Sequence, residues 1–200
     1  METDTVRRAY TSVAALYIEL FGTGQQVEAD DFDLIGRHLA SRSGRVLDLG
    51  CGPGHLTGRL REMGVDVVGI DLVPEFIAHA RAAHPGVEFQ LGSMQRLDTA
   101  DESIDGILAW YSLIHLPPSE LDDVLREFRR VLVPAGRFVL GAFDAEEVGA
   151  FDHKVLTAYR WPPDEISARL ARAGFREVER LRRPGTEEHR PLVAIAAIAV

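Results

Sequence analysis

From residue 44 onward, short apolar runs alternate with amphipathic stretches, and that rhythm predicts most of the elements. Val46, Leu47 and Leu49 suit a strand covered on both faces, placed from Arg45 to Gly50. A helix from about His55 to Met63 follows, then a strand from Val65 to Asp71. Pro74 opens the next helix, to about Ala83, because its missing donor goes unused in a first turn; His84-Pro85-Gly86 ends it. Val87 to Leu91 reads as a third strand and Ile104 to Trp110 as a fourth. Ser119 to Leu132 is amphipathic, with Leu121, Val124, Leu125, Phe128 and Leu132 on one helical face, and Arg137 to Phe143 is the fifth strand. Strands alternating with helices imply a parallel sheet with crossover connections.

The two ends depart from this alternation. After a helix near Asp164 to Ala173, the runs Phe175 to Leu181 and Pro191 to Val200 read as strands joined by the hairpin RRPGTEEHR, so one partner must run antiparallel. Residues up to about Leu39 read as one or two helices, with Tyr10, Ala14, Tyr17 and Phe21 at helical spacing. Asp30 to Asp33 places acids just before Leu34, Ile35 and Leu39, a normal helix beginning. Ala145 to Trp161 is an insertion after the fifth strand.

Composition narrows the class. A chain of 200 residues suits one domain, large enough to bury its core without disulfides. Lys and Arg total 22 against 31 acids, a formal charge of −9 with no basic block, which argues against a nucleic-acid partner. The start METDTVRRAYTSV lacks the apolar core of a signal peptide, and no apolar run approaches the roughly 18 residues of a membrane span. The expectation is a soluble protein without a membrane partner. The only cysteine, Cys51, excludes an internal disulfide and fits a reducing cytoplasm.

The candidate chemistry begins at VLDLGCGPG, Val46 to Gly54, a strand that breaks into a glycine-rich turn where a ligand can lie against the main chain. Gly50, Gly52 and Gly54 give G-x-G-x-G, whereas the dinucleotide form needs a glycine at position 55, which is His55; NAD loses ground. Asp48 stands where a strand end would aim a carboxylate at an ammonium group, or else caps loop amides. Asp71 closes the second strand about twenty residues beyond the loop, within reach of a ribose. Cys51 reads as a small residue between glycines, since no charged partner activates it.

Taken in order, VLDLGCGPG, GIDLVPEFI, LGSMQRL, IDGILAWYSLIHL and LREFRRVLVPAGRFVL resemble the motifs of class I S-adenosylmethionine-dependent methyltransferases of the small-molecule type, over most of the chain. The resemblance implies an α/β fold: a Rossmann-like three-layer sandwich whose seven-stranded, mostly parallel sheet has an antiparallel last strand, with a helical N-terminal lid. It implies a single domain, divided into an N-terminal cap (1–40), a cofactor-binding core (41–143), a lid insertion (144–161) and a C-terminal helix and hairpin (162–200). The implied cofactor is S-adenosyl-L-methionine, with S-adenosyl-L-homocysteine as product. The implied partner is a small-molecule acceptor with an O, N or C nucleophile, and the chain acts as a monomer or homodimer. A binding protein for the same cofactor without catalysis is the alternative.

By that resemblance Asp48, Gly50, Cys51, Gly52 and Gly54 receive the methionine part, Asp71 the ribose and Leu72 an adenine face. Ser93 and Met94 follow at the adenine loop, where many relatives carry an acid in place of Ser93. Trp110 and Tyr111 border the methionine part and the acceptor, or pack in the core; Tyr111 and His115 are the catalytic candidates. His115, in WYSLIHLPP, has an ordinary pKa suited to proton removal at neutral pH, or it orients its loop. Tyr17, on the cofactor side, and Tyr10, on the acceptor side, resemble paired tyrosines of related N-terminal helices, or form a stripe that docks on the core. Phe143, His153, Tyr159 and Trp161 are placed along the acceptor pocket by loop position. Leu116 before Pro117-Pro118 lacks the Asn, Asp or Ser of base-modifying enzymes, and nothing demands a metal.

Overall fold

The structure, a computed structural model, describes residues 3–22, 27–186 and 189–200, without the side chain of Thr3. Five strands run parallel in the spatial order β3-β2-β1-β4-β5: β1 (Val46–Leu49), β2 (Val67–Asp71), β3 (Glu88–Leu91), β4 (Ile104–Trp110) and β5 (Leu132–Asp144). The crossovers are the helices α3 (His55–Glu62), α4 (Pro74–Ala83) and α5 (Pro118–Val131). Pro74 and Pro118 each stand in the first turn of their helix, where no intrahelical donor is required. After α6 (Pro163–Arg172) come β8 (Phe175–Arg183) and β9 (Leu192–Ala199). β9 pairs antiparallel with both β5 and β8, which completes a seven-stranded sheet with one reversed strand. Of the predicted turn RRPGTEEHR, Glu187 and Glu188 lie outside the described residues.

The insertion adds two strands. β6 (Gly149–Phe151) and β7 (Ala158–Trp161) form an antiparallel pair, and β7 runs parallel to β5 through Phe143–Arg160 and Asp144–Trp161. β4 has ended by then, its last partner being Gly141 opposite Trp110. Beyond that point the edge of β5 would be bare, and β7 takes the free donors and acceptors.

Strand alternation sends neighbouring side chains to opposite faces of the sheet. Leu47, Ile107, Phe138 and Leu140 join Leu125 and Phe128 of α5 and Leu170 of α6 in one core. Val46, Val67, Leu108 and Val139 join the other, with Leu56 and Leu60 of α3 and Leu34 and Leu39 of α2 (Ala29–Leu39). The N-terminal helix α1 (Thr3–Phe21) lies apart from both cores and docks on α4, where Ala14, Tyr10 and Tyr17 pack on Val73 and Phe76. Among the described residues no helix is long and apolar enough to cross a membrane.

Candidate active site

The carboxyl ends of β1, β2, β3 and β4 open on a cleft of about 860 Å³, its mouth included. Gly50 and Gly52 line it after β1, Asp71 and Leu72 after β2, Ser93 and Met94 after β3, and Trp110, Tyr111 and His115 after β4. Tyr10 and Tyr17 close it from α1, so the stripe that docks on the core also walls the cleft. Sequence reasoning missed Val6, Ile70, Val73, Phe76, Gly92, Gln95, Ser112 and Leu116. Val73 and Phe76 lay within GIDLVPEFI, the one local signal available for them.

The loop after β1 folds as it does because its glycines accept left-handed backbone. Gly50, Gly52 and Gly54 have φ of 75°, 54° and 90°. A Cβ on Gly50 would stand 2.4 Å from Cβ of Ser112, so the loop passes close under the segment that follows β4. Gly54 serves packing instead: its Cβ would meet Ala80 at 2.7 Å and Phe89 at 2.9 Å, and it does not line the cleft.

Asp71 holds the loop. Its Oδ2 accepts the Gly52 N–H at 2.8 Å and its Oδ1 accepts the Val73 N–H at 2.9 Å. Burial pushes its pKa up, and the backbone N–H groups of Val73, Gly52 and Leu72 oppose that rise. A carboxylate has about four acceptor sites, so these bonds leave capacity for a ligand hydroxyl.

Asp48 is placed differently from its expected position. It is 2% exposed, does not line the cleft and accepts the Thr57 hydroxyl at 2.6 Å. Its neighbours Leu47 and Leu49 face the α5 core, so the alternation of β1 turns Asp48 toward α3 beneath the glycine loop. Burial pushes its pKa from 3.8 up to about 7, opposed by the Thr57 bond and reinforced by Asp71. A carboxyl raised on folding binds more protons folded than unfolded, so stability falls as pH climbs from 3.8 toward 7. Between pH 5 and pH 8, calorimetric scans should show a steeper loss for the parent than for Asp48→Asn, whose amide oxygen still accepts from Thr57. Equal slopes would remove Asp48 as the cause.

Cys51 is also beneath the cleft, packed with Ile77, Ala80 and Phe89. Burial, with Asp48 and Asp71 nearby, pushes its thiol well above the ordinary value, so it is inert. In the loop after β3, Ser93 Oγ accepts the Gln95 N–H at 3.2 Å, and Gln95 reaches Glu120 at 3.1 Å.

Tyr111 turns the chain at the end of β4 with φ of 52°. Its ring meets Trp110 edge-on at 5.3 Å and Phe143 at 5.7 Å, and burial pushes its hydroxyl above the usual range. The insertion residues stand behind this wall. Phe143 packs on Tyr111 and Phe151, and Tyr159 donates its N–H to the Ile114 carbonyl at 2.7 Å. Trp161 is 4% exposed, in the α5 core, with the Arg169 guanidinium 5.0 Å over its ring. None of the three lines the cleft, because pairing of β7 with β5 turns them into the sheet's own packing.

His115 is 5% exposed, and both its ring nitrogens are engaged: Nε2 with Tyr10 Oη at 2.8 Å and Nδ1 with the Thr157 carbonyl at 2.9 Å. Burial pulls its pKa down, so it is neutral near pH 7. Ser112 Oγ, buried on the cleft wall, has no hydrogen-bond partner among the described residues, an orphaned polar atom that a ligand group would satisfy.

A glycine loop after the first strand, a backbone-anchored acid after the second, and the reversed β9 define a Rossmann-like fold of the methyltransferase type. Residues 46–136 match the family model described as a methyltransferase domain. An uncharacterized methyltransferase of Mycobacterium tuberculosis is 39% identical over 102 residues, 51% of this chain and 41% of that protein. The chain thus spans about two fifths of the length of this curated relative. Burkholderia thailandensis 1,6-didemethyltoxoflavin-N1-methyltransferase, solved with 1,6-didemethyltoxoflavin and S-adenosylhomocysteine bound, superposes with a TM-score of 0.83 at 23% identity, covering 98% of this chain and 88% of that one. The [4+2]-cyclase SpnF gives 0.81 at 19%, covering 100% and 97%. These two likenesses show a shared fold. Over residues 46–136 the chain thus matches the methyltransferase-domain family, and its fold is that of class I S-adenosylmethionine-dependent methyltransferases.

Proposed function

We propose that this chain transfers a methyl group from S-adenosylmethionine to a small, largely uncharged acceptor and releases S-adenosylhomocysteine. The observation that carries this reading is one cleft that joins the Asp71-anchored glycine loop to the Tyr10–His115 pair and the Tyr111 wall. The cofactor supplies an activated methyl group on a sulfonium. The chain's residues then have mainly to position, because alignment of two reactants alone lowers a barrier by about 7–11 kcal/mol.

In this reading Gly50 and Gly52 allow the ligand to approach the main chain, and Asp71 accepts from the two ribose hydroxyls. Leu72 and Met94 face the base, with Ser93 beside it. Tyr17, Trp110 and Tyr111 exclude water, and aromatic faces near a cation add about 0.5–2 kcal/mol of attraction. Asp48 acts from beneath the loop, through its shape. Tyr10 and His115 handle a proton where the acceptor must lose one, and α1 covers the cleft.

The acceptor class follows from the lining. Among the described residues that line the cleft, Asp71 is the only Asp, Glu, Lys or Arg, and Tyr10, Tyr111, Met94 and Leu116 give the rest an aromatic and apolar character. A planar heteroaromatic or phenolic acceptor suits these walls; the Burkholderia enzyme has 1,6-didemethyltoxoflavin bound. A cytoplasmic setting accords with the single buried cysteine.

The test compares S-adenosylmethionine, S-adenosylhomocysteine and NAD in thermal shift, then follows methyl-labelled cofactor over a panel of neutral aromatic N–H and O–H acceptors. The first two ligands should raise Tm, with about 2.7 kcal/mol at 100 times Kd, and NAD should not. No shift with either methyl-cofactor form defeats the proposal. Tight binding without label transfer across the panel makes the protein a non-catalytic binder.

A further inference from the structure

One buried imidazole touches two segments, α1, which walls the cleft, and the insertion, which lies behind that wall. His115 Nε2 lies 2.8 Å from Tyr10 Oη in α1, and Nδ1 lies 2.9 Å from the carbonyl oxygen of Thr157 in the insertion. A carbonyl oxygen only accepts, so Nδ1 carries the hydrogen; the neutral ring then offers Nε2 as an acceptor, and the Tyr10 hydroxyl donates to it. The preceding residue is pinned too, since Ile114 O accepts the Tyr159 N–H of β7 at 2.7 Å. The His153 ring, 5.5 Å from that of His115, fills the insertion side of the imidazole.

We propose that His115 is a positioning residue that couples α1 to the insertion, so that α1 cannot lift without loosening the insertion, nor the insertion without loosening α1. The reason is that the ring is rigid and buried while its two nitrogens serve different elements. When Tyr10 withdraws, Nε2 is left an unpartnered buried acceptor, and any turn of the ring toward another donor draws Nδ1 away from Thr157. When the insertion withdraws, Nδ1–H is orphaned in the same way, and the turn that relieves it breaks the bond to Tyr10. Coupling between two such elements is reciprocal by thermodynamic necessity. The proposal rests on the methyl-transfer reading only in taking the cleft walled by α1 as the place of cofactor and acceptor. Under that reading the insertion steadies the α1 wall of the cleft through His115.

Hydrogen exchange on the full chain without cofactor tests this, with Tyr10→Phe and His115→Gln. Tyr10→Phe removes one oxygen from α1, yet the Tyr159 amide in the insertion should exchange about threefold faster or more, together with α1. His115→Gln keeps a group near the Nε2 position and loses the Nδ1 donor; the amides of α1 should accelerate by a similar factor along with Tyr159. The double variant should be no faster than the faster single variant in either segment. Acceleration confined to α1 in Tyr10→Phe, or factors that multiply in the double variant, overturns the coupling. Unchanged exchange in β4 and β5 verifies that each variant is folded, and if His115→Gln does not fold, the Tyr159 amide in Tyr10→Phe decides alone. Calorimetry with S-adenosylhomocysteine on the parent is a separate arm: absence of heat there defeats the methyl-transfer reading and leaves the exchange result standing.

Discussion

Asp71→Ala should weaken S-adenosylhomocysteine binding about a hundredfold or more in calorimetry, the largest loss expected from any single side chain of the cleft. Two effects add. Hydrogen bonds to a charged carboxylate are worth about 1.5–3 kcal/mol, and the ribose hydroxyls would lose theirs. The Gly52 N–H, held by Oδ2 at 2.8 Å, would also lose its acceptor, and with it the loop loses the restraint that keeps Gly52 at φ of 54°. A combined loss of about 2.7–4 kcal/mol corresponds to roughly a hundredfold to a thousandfold in Kd. Asp71→Asn separates the two, because its amide oxygen can keep one backbone N–H while the charge is gone; it should fall between the parent and Asp71→Ala. Affinity within threefold of the parent in a folded Asp71→Ala would remove the residue from the cofactor site.

The second large effect is expected from Gly50→Ala, which meets both a backbone and a packing obstacle. At φ of 75° a side chain is strained by roughly 1–2 kcal/mol. The new Cβ would stand 2.4 Å from Cβ of Ser112 and 3.2 Å from the Met94 methyl, so the segment after β4 must move. Overpacking of this kind costs about 1–3 kcal/mol, for a total of roughly 2–5. At about 2–4 °C per kcal/mol for a chain of this size, Tm should fall by roughly 4–20 °C. Gly64→Ala is the control: Gly64 has φ of 88° but nothing within 4 Å of its Cβ position, so it carries the backbone strain alone. If Gly50→Ala is no less stable than Gly64→Ala, the close approach of the glycine loop to Ser112 has no energetic weight.

The contrast between what spacing reveals and what it conceals is sharpest in single strands. β4 was readable to the residue, Ile104 to Trp110, because its apolar run is bounded by polar residues on one side and a turn on the other. β2 was read from Val65 and begins at Val67, since Val65 is buried but its N–H still closes the end of α3 on the Leu60 carbonyl. The insertion gave no periodic signal: β6 is three residues long, and its pairing with β7 is a contact between short segments that neither displays alone. Ser112 was invisible for another reason. A lone serine after a strand looks like loop polarity until the fold brings Gly50 against it.

Spacing along the chain carried the family resemblance, the succession of strands and helices, and the glycine-rich loop. Glycines that need left-handed backbone, acids at strand ends and buried apolar runs are local properties, written within a few residues of each other. Tertiary structure decided which side of the sheet each acid faces, so that Asp71 borders the cleft while Asp48 lies under it against Thr57. It also decided that Trp161 belongs to the core, and that His115 meets Tyr10 and Thr157, 105 and 42 residues away in the chain. Those contacts depend on how α1 and the insertion dock over the carboxyl ends of the strands, and the free energy of that docking comes from surfaces that no spacing along the chain brings together.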